Sequence, residues 1–544
     1  MRIAPPLTTL LMASILPRTV SSFAVTSTLT RATSTSCRSA SSSYEELVSE
    51  FSVHKQLERV SALMHWDSMV MMPQTDANHH ERGLQSAALA GVIHEKATSS
   101  RLGELIEAVD VDALDDASKV NYKLMSKIYR EKTLIPESVA KEQAELSNSA
   151  YLAWTKARDS SDFSKFAPAL TECFEMSKTI ASLKLGSNPD IISLYDKMLD
   201  DYEKGMPSQR ITEIFDNVEA ALVPFIDEVL ASPHAPSTSC LSPPAGSTFP
   251  LSSQSSLNSG ILDSLGFTGR SDVSVHPFTT SFSPSDVRLT SRFSPTEWYQ
   301  GLAGSIHESG HALYESNLPS PPIPINSPLS MGVHESQSLF YERHVGLSLP
   351  FYARFLPNIT ANLNLQSYSS TEIHGAVNSV KRSSIRVEAD ELTYPLHVIL
   401  RTRIERQIID GDVEMAEIVN SVPELWNYEM KRLLKIDVKD DAEGCLQDVH
   451  WSGLAFGYFP TYLIGAIAAA QLEYYIRKDM DFEDVILNGE FSKIEEWMKE
   501  KIHRHGSYYG SLDEMFEAEF GERLNETYYI DYLTNKYKKI YGLD

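Results

Sequence analysis

Cysteine is scarce in this chain of 544 residues: Cys37, Cys173, Cys240 and Cys445 stand far apart and never as CxxC. That excludes a disulfide framework and a thiolate zinc site, and reads all four as free structural thiols. Basic charge is short as well, with 48 Lys and Arg against 73 Asp and Glu, a net charge of -25 and a sequence pI near 5.1. A field of that sign repels nucleic acid and anionic membrane, so neither is expected as a partner. Long hydrophobic runs are missing too. The most apolar late stretch, GYFPTYLIGAIAAAQLEYY, carries Pro460, Gln471 and Glu473 and is too short between polar breaks to span a bilayer. Sustained alternation of apolar and polar residues is rare, which leaves little room for sheet.

The first 44 residues lack Asp, Glu and Lys altogether but hold Arg2, Arg18, Arg31 and Arg38, a short apolar run (PPLTTLLMASILP) and then a Ser/Thr-rich tract. This is a targeting composition, set apart from the fold. The apolar run followed by SSFAVTS resembles the two-part presequence that directs proteins into a plastid of secondary origin. A mitochondrial presequence or a plain secretory signal are the alternatives, and the sequons at Asn358 and Asn525 suit the latter. Residues 45–544 are then one catalytic domain, read as soluble.

What is present is helical periodicity. Ile494, Trp497, Met498 and Ile502 share a face that ends at Gly506, and Ser511 with Glu514 reads as a capping box opening a helix whose apolar face is Leu512, Met515, Phe516 and Phe520. The Ser/Pro-rich stretch near 231–260 reads as a loop or linker. The fold class expected is all-α.

HESGH, residues 307–311, falls between the helix-start signal of Ser294, Pro295 and Glu297 and a stop at Pro319, hence mid-helix. Four residues is about one turn, so His307 and His311 stack on one face and can share a tetrahedral ion, with Glu308 on an adjacent face toward a bound water. Gly301, Gly304 and Gly310 each cost the helix about 1 kcal/mol relative to Ala, which points to close approach of another backbone or of substrate. A catalytic metal needs a third protein ligand and an open position; Glu335, in MGVHESQSLFYERHVG near the start of a further helix, supplies it. Taken alone, the five residues also fit a surface charge cluster. The other histidine groups, HHER at 79–82 and HRH at 503–505, lack metal spacing and read as solvated.

Several further motifs stand in a fixed order: WDSMVMMP (66–73), HPF (276–278), DVRLT (286–290), HESGH, HESQ (334–337), IRVEAD (385–390) and GCLQDVHW (444–451), followed by FGYFPTYLIGAIAAAQL. Together they resemble the carboxypeptidase Taq family of zinc metallocarboxypeptidases over essentially the whole chain from Glu45. The resemblance implies a two-lobed helical fold around a deep groove, a homodimer, His307, His311 and Glu335 as ligands of one Zn2+ (Co2+ as a possible substitute), and Glu308 as the catalytic carboxylate. Glu308 would take a proton from the zinc-activated water and hand it to the leaving nitrogen.

A C-terminal exopeptidase must also hold a free carboxylate, a task suited to Arg386 first and Arg288 second; their alternative is an ion pair to Asp390 and Asp286. His450, His276 and Tyr458 are candidates to hydrogen-bond the developing oxyanion or the substrate backbone, or else form a packed polar network in which Asp448 orients a histidine. Trp66, Met71 and Met72 read as core. The leading expectation is removal of single C-terminal residues from peptides, with broad side-chain preference and little action on proline. A zinc endopeptidase or oligopeptidase and a non-catalytic peptide-binding protein are the alternatives.

Overall fold

A computed structural model describes residues 40–186, 191 and 193–543. The plastid, mitochondrial or secretory leader and Cys37 lie outside them, except that the boundary at residue 44 falls inside the first helix, Ala40–Trp66. Ser43 is buried there and Tyr44 Oη accepts from Asn121 Nδ2 at 3.1 Å, so these residues belong to the fold. Helices dominate, with one three-stranded sheet. No helix among the described residues is long and apolar enough to cross a membrane.

The N-terminal helices close on a small core of their own, Leu47 and Phe51 against Leu102, Leu105 and Met125. The second helix, Asp76–Ala97, buries only Ala97. Arg82 pins it to the end of the first helix through Met64 O, Ser68 Oγ and Asp67, whereas His79 and His80 are solvated as expected. Between them WDSMVMMP splits: Trp66 is 2% exposed and Met71 57%, because a π-turn over Asp67–Met71 rotates the methionines outward.

Most other helices share one large core. Cys173, Cys240 and Cys445 are free and buried in it. Two expectations hold only in part. The stretch near 231–260 is a loop over 232–250, broken by a 3-10 turn, Ser239–Leu241, but its last ten residues open a helix, Leu251–Ser264, that buries Gln254, Leu257 and Asn258. Serine at exposed positions masks an apolar face formed by Leu257, Ile261 and Leu265. The HRH group is solvated only at Arg504, since His503 is fully buried and its Nε2 meets Gln337 Oε1 at 2.9 Å.

The sheet has the order β1 (Arg270–Val273), β3 (Asp286–Ser291), β2 (Thr279–Ser283), with β1 parallel and β2 antiparallel to β3. Thr279 faces Leu289 and Thr280 faces Arg288 across the ladder. Val287 and Leu289 pack with Leu262, Phe267 and Ala312, which fixes that sheet face against the HESGH helix.

Candidate metal centre and active site

The HESGH helix runs Tyr299–Asn317. It starts four residues later than Pro295 predicts, because the Glu297 carboxylate caps it, accepting from the main-chain N–H of Tyr299 at 2.5 Å and of Gln300 at 2.9 Å. Asn258 braces the same turn with its Nδ2 on Gly301 O at 3.0 Å and Ser305 Oγ at 2.7 Å. The HESQ helix, Met331–Leu339, opens with Ser330 Oγ accepting from Val333 N.

Glycine lets these elements touch. A Cβ on Gly310 would lie 2.3 Å from Gln337 O and 2.7 Å from Ser338 Cα, so the fourth residue of HESGH must be small for the HESQ backbone to approach. Gly301 is tight in the same way, 2.9 Å from Arg292 O, but Gly304 meets only Pro277 at 3.9 Å and does not need to be glycine for space. From the other side, the helix Pro460–Asp479 presents Gly465, whose Cβ would fall 2.7 Å from Glu335 Cβ and 2.9 Å from its Cγ. This explains Gly465 within the run LIGAIAAA, which in sequence offers only an apolar pattern.

The close approach brings His307, His311 and Glu335 together. Glu335 Oε2 lies 3.8 Å from His307 Nε2 and 3.4 Å from His311 Nε2, and ligand atoms of the three all fall within 4.8 Å of one another. Each imidazole is anchored from behind: His307 Nδ1 by Glu342 Oε2 at 2.6 Å, and His311 Nδ1 by His334 O at 3.0 Å. Both Nε2 atoms are thereby aimed at the shared point. Burial would depress the pKa of His307, but Glu335, Glu342 and Glu308 overcome it and raise it to about 9. Glu335, despite burial, is pulled down to about 2 by His307, His311 and Arg343. His311 is lowered by burial and by His334. Two imidazole nitrogens and a carboxylate, surrounded by more acid than base, fit a divalent cation, and three donors leave a position open.

Glu308 is 8% exposed and outside the donor set; its Oε2 accepts from Thr279 Oγ1 at 2.7 Å. HPF and DVRLT hold that threonine in place. Phe278 N donates to Thr290 Oγ1 at 3.0 Å, Thr290 N to Phe278 O at 2.9 Å, and the Phe278 ring packs edge-on against Trp66.

A second cluster gathers Arg386, Asp448 and the rings of Phe459 and Tyr462. Arg386 does not pair with Asp390, which instead accepts from the N–H groups of Lys381, Leu392 and Thr393. Its Nε and Nη2 reach Asp448 Oδ1 at 3.1 and 2.8 Å, while Arg401 Nε takes Oδ2 at 2.7 Å. Although burial opposes it, these two guanidinium groups hold the Asp448 carboxyl far below the usual range. Asp448 therefore orients two arginines and not a histidine, His450 Nδ1 being 3.9 Å away. Burial outweighs the opposing pull of Asp448 and, helped by Arg386 and Arg401, lowers His450 to about 4, so it is neutral at pH 7; its Nε2 meets Tyr462 Oη at 3.2 Å. Tyr458 packs edge-on to Tyr462 and tilted against His450, and its phenol is raised by burial and by Glu335. Tyr394 is buried at the start of the helix Tyr394–Asp410, with the Arg343 guanidinium 4.4 Å over its ring, and burial with the nearby Glu335 raises its phenol.

Two candidates fall elsewhere. Arg288 lies on the sheet face opposite Leu289, with Nε and Nη2 on Asp286 at 2.8 and 2.9 Å and its guanidinium over Phe282 and Trp66. Its alternative reading as an ion pair is the one realised. His276 is exposed in the loop entering β2, its carbonyl accepting from Ser274 Oγ, and it does not join the His307, His311, Glu335 cluster. Thr279, Glu342, Tyr394, Tyr462 and Gly465 are the residues sequence reasoning missed. Only Glu342 leaves a local signal, seven residues after Glu335.

The sequence profile described as carboxypeptidase Taq (M32) metallopeptidase matches residues 46–537. Carboxypeptidase 1 of Bacillus subtilis is 38% identical over 493 residues, covering 89% of this chain and 95% of its own. Thermostable carboxypeptidase 1 of Thermus thermophilus is 35% identical over 503 residues, 89% of this chain and 96% of its own. The crystal structure of an M32 carboxypeptidase from Deinococcus radiodurans superposes with a TM-score of 0.86 at 30% identity, over 92% of this chain and all of that one. Agreement along nearly the whole chain, in sequence and in helical fold, leaves one assignment: the chain belongs to the carboxypeptidase Taq (M32) metallopeptidase family and is a metallocarboxypeptidase.

Proposed function

We propose that the enzyme is zinc-dependent and removes single C-terminal residues from peptides, with broad side-chain preference and little action on proline. The observation that carries this reading is the convergence of His307, His311 and Glu335 beside a separate, buried Glu308. His307, His311 and Glu335 would hold the ion; an N,N,O donor set suits zinc, with cobalt as a substitute of similar geometry. Zinc in such a site acidifies a water and polarises a carbonyl oxygen.

The remaining steps belong to the chain's own residues. Glu308 takes the proton of the attacking water and delivers it to the leaving nitrogen. Arg386 has Nε and Nη2 committed to Asp448, so Nη1 is the nitrogen left for the substrate carboxylate. Neutral His450 and the protonated phenol of Tyr458, with Tyr394 and Tyr462 nearby, supply hydrogen bonds to the substrate carbonyl or backbone.

An unmodified peptide and its C-terminally amidated twin, incubated with the enzyme with and without chelator and followed by mass spectrometry, test the reading. Stepwise shortening of the free acid alone, stopped by chelator and restored by zinc, is expected. Internal cuts in both peptides would make it an endopeptidase, and no cuts with zinc bound would favour a binding protein.

The enzyme is proposed to work as a homodimer. The first helix leaves Val53, Val60 and Leu63 exposed and the second, packed against it, Leu84 and Val92, apolar side chains on an otherwise acidic chain. Light scattering should give the mass of two chains of 60.8 kDa, and a monomer would remove the proposal.

A further inference from the structure

Thr279 stands at the start of β2 with its hydroxyl facing two oxygens of one residue, Glu308 Oε2 at 2.7 Å and Glu308 O at 2.9 Å. A hydroxyl has one proton to donate and two lone pairs to accept with. It can donate to Oε2 when Glu308 is a carboxylate. When Glu308 carries a proton on Oε2, the same hydroxyl can turn, accept from that O–H and donate to the main-chain carbonyl. Either way the carboxyl of a residue only 8% exposed keeps a partner, and leaving it without one would cost free energy.

The geometry is held from behind. Thr279 pairs with Leu289 in the ladder, and its neighbour Phe278 is locked on both main-chain groups by Thr290. Ser274 Oγ meets Thr290 Oγ1 at 2.7 Å, and Phe278 packs on Trp66. A β-branched side chain on a strand has restricted χ1, which narrows where the hydroxyl can lie once the backbone is held. These layers explain why HPF and DVRLT accompany HESGH in one chain: they build the mount for the residue that touches its glutamate.

We infer that Thr279 is a positioning residue for Glu308, fixing its carboxyl toward the substrate and serving as its hydrogen-bond partner both before and after it takes the proton. This rests on the reading of Glu308 as the proton carrier given above. No new bond is made or broken; the proton passes from water to Glu308 to the leaving nitrogen, and the Thr279 proton stays on Thr279.

The test uses the full chain with Thr279→Val, Thr279→Ala, Thr279→Ser and, in parallel, Glu308→Gln, measuring kcat and KM on a free-acid peptide, bound metal per chain, and Tm. T279V, which keeps shape and β-branching, is expected to lower kcat about 10- to 100-fold with KM changed by less than about threefold, and T279S to recover most of the loss. Bound metal should stay at the parent level in all three Thr279 variants. If T279V does not fold, the comparison of T279A with T279S decides in the same way. A T279V kcat within about twofold of the parent, or a loss confined to KM or to bound metal, overturns the inference. Should T279V be normal while E308Q is inactive, only the Thr279 role falls; should E308Q keep full activity, the Glu308 reading fails and takes this inference with it.

Discussion

Glu308→Gln is expected to lower kcat by about 10²- to 10⁴-fold while leaving bound metal and KM close to those of the parent. The side chain is the right one to separate chemistry from binding. It lies outside the cluster of His307, His311 and Glu335, so the amide removes no donor. Gln keeps the volume and one carbonyl oxygen, which can still accept from Thr279 Oγ1, so the local packing around a buried position is preserved. What it cannot do is accept the proton of a water and return it to an amine, because a neutral amide is not a base in this range. Measuring turnover of a free-acid peptide together with metal per chain reads the two roles apart. Activity and metal lost in proportion would make Glu308 a ligand and would refute its separation from the donor set.

How far this could be read from the residues depends on how local each contact is. The His307 and His311 pairing is one helical turn and is legible at once, and Glu335 follows because it stands 28 positions after His307 in a motif of its own, near the start of a helix. Thr279 is about as near in sequence, 29 residues before Glu308, yet a threonine in a short strand has no mark to distinguish it from its neighbour Thr280. Only the register, which sets Thr279 beside Leu289 on the face toward the HESGH helix and Thr280 beside Arg288 on the other, makes the difference. The same one-residue alternation removes Arg288 from the site.

Composition misled where burial is polar. The stretch near 231–260 has the serine and proline content of a linker, but Asn258 reaches across 43 positions to Gly301 and Trp298 Nε1 donates to Cys240 O at 2.8 Å, contacts that no local pattern announces. His503 is of the same kind, paired with Gln337 across 166 positions and stacked near Tyr314. Asp448 was legible as a partner of charged groups but not of which ones, since its two arginines come from a 3-10 turn, Arg386–Glu388, and a helix, Tyr394–Asp410, that meet only in the fold.

Gly465→Ala should weaken metal retention although position 465 touches no metal ligand's donor atom. The added Cβ would sit 2.7 Å from Glu335 Cβ, 2.9 Å from Cγ and 3.1 Å from its carbonyl carbon, distances at which something must move. The obstacle is the ligand's own stem and backbone, not the free end of a flexible chain, so relief comes by shifting the HESQ helix or the Pro460 helix. Both options are costly. Gly310 already lies against Gln337 O with no spare room, so the HESQ helix cannot slide as a unit without losing the contact that brings it to His307 and His311. Overpacking of this sort costs about 1 to 3 kcal/mol, and a misplaced carboxylate is expected to lower metal affinity by about 10- to 100-fold. Chelator competition on the purified variant reads the second effect and thermal unfolding with excess zinc reads the first. The expected pattern is an activity that returns as zinc is raised, because His307, His311, Glu308 and Thr279 are untouched and only the third donor has been moved. If G465A binds zinc as tightly as the parent, the two helices have slack that the distances deny, and the small-residue run LIGAIAAA would be reduced to ordinary core packing.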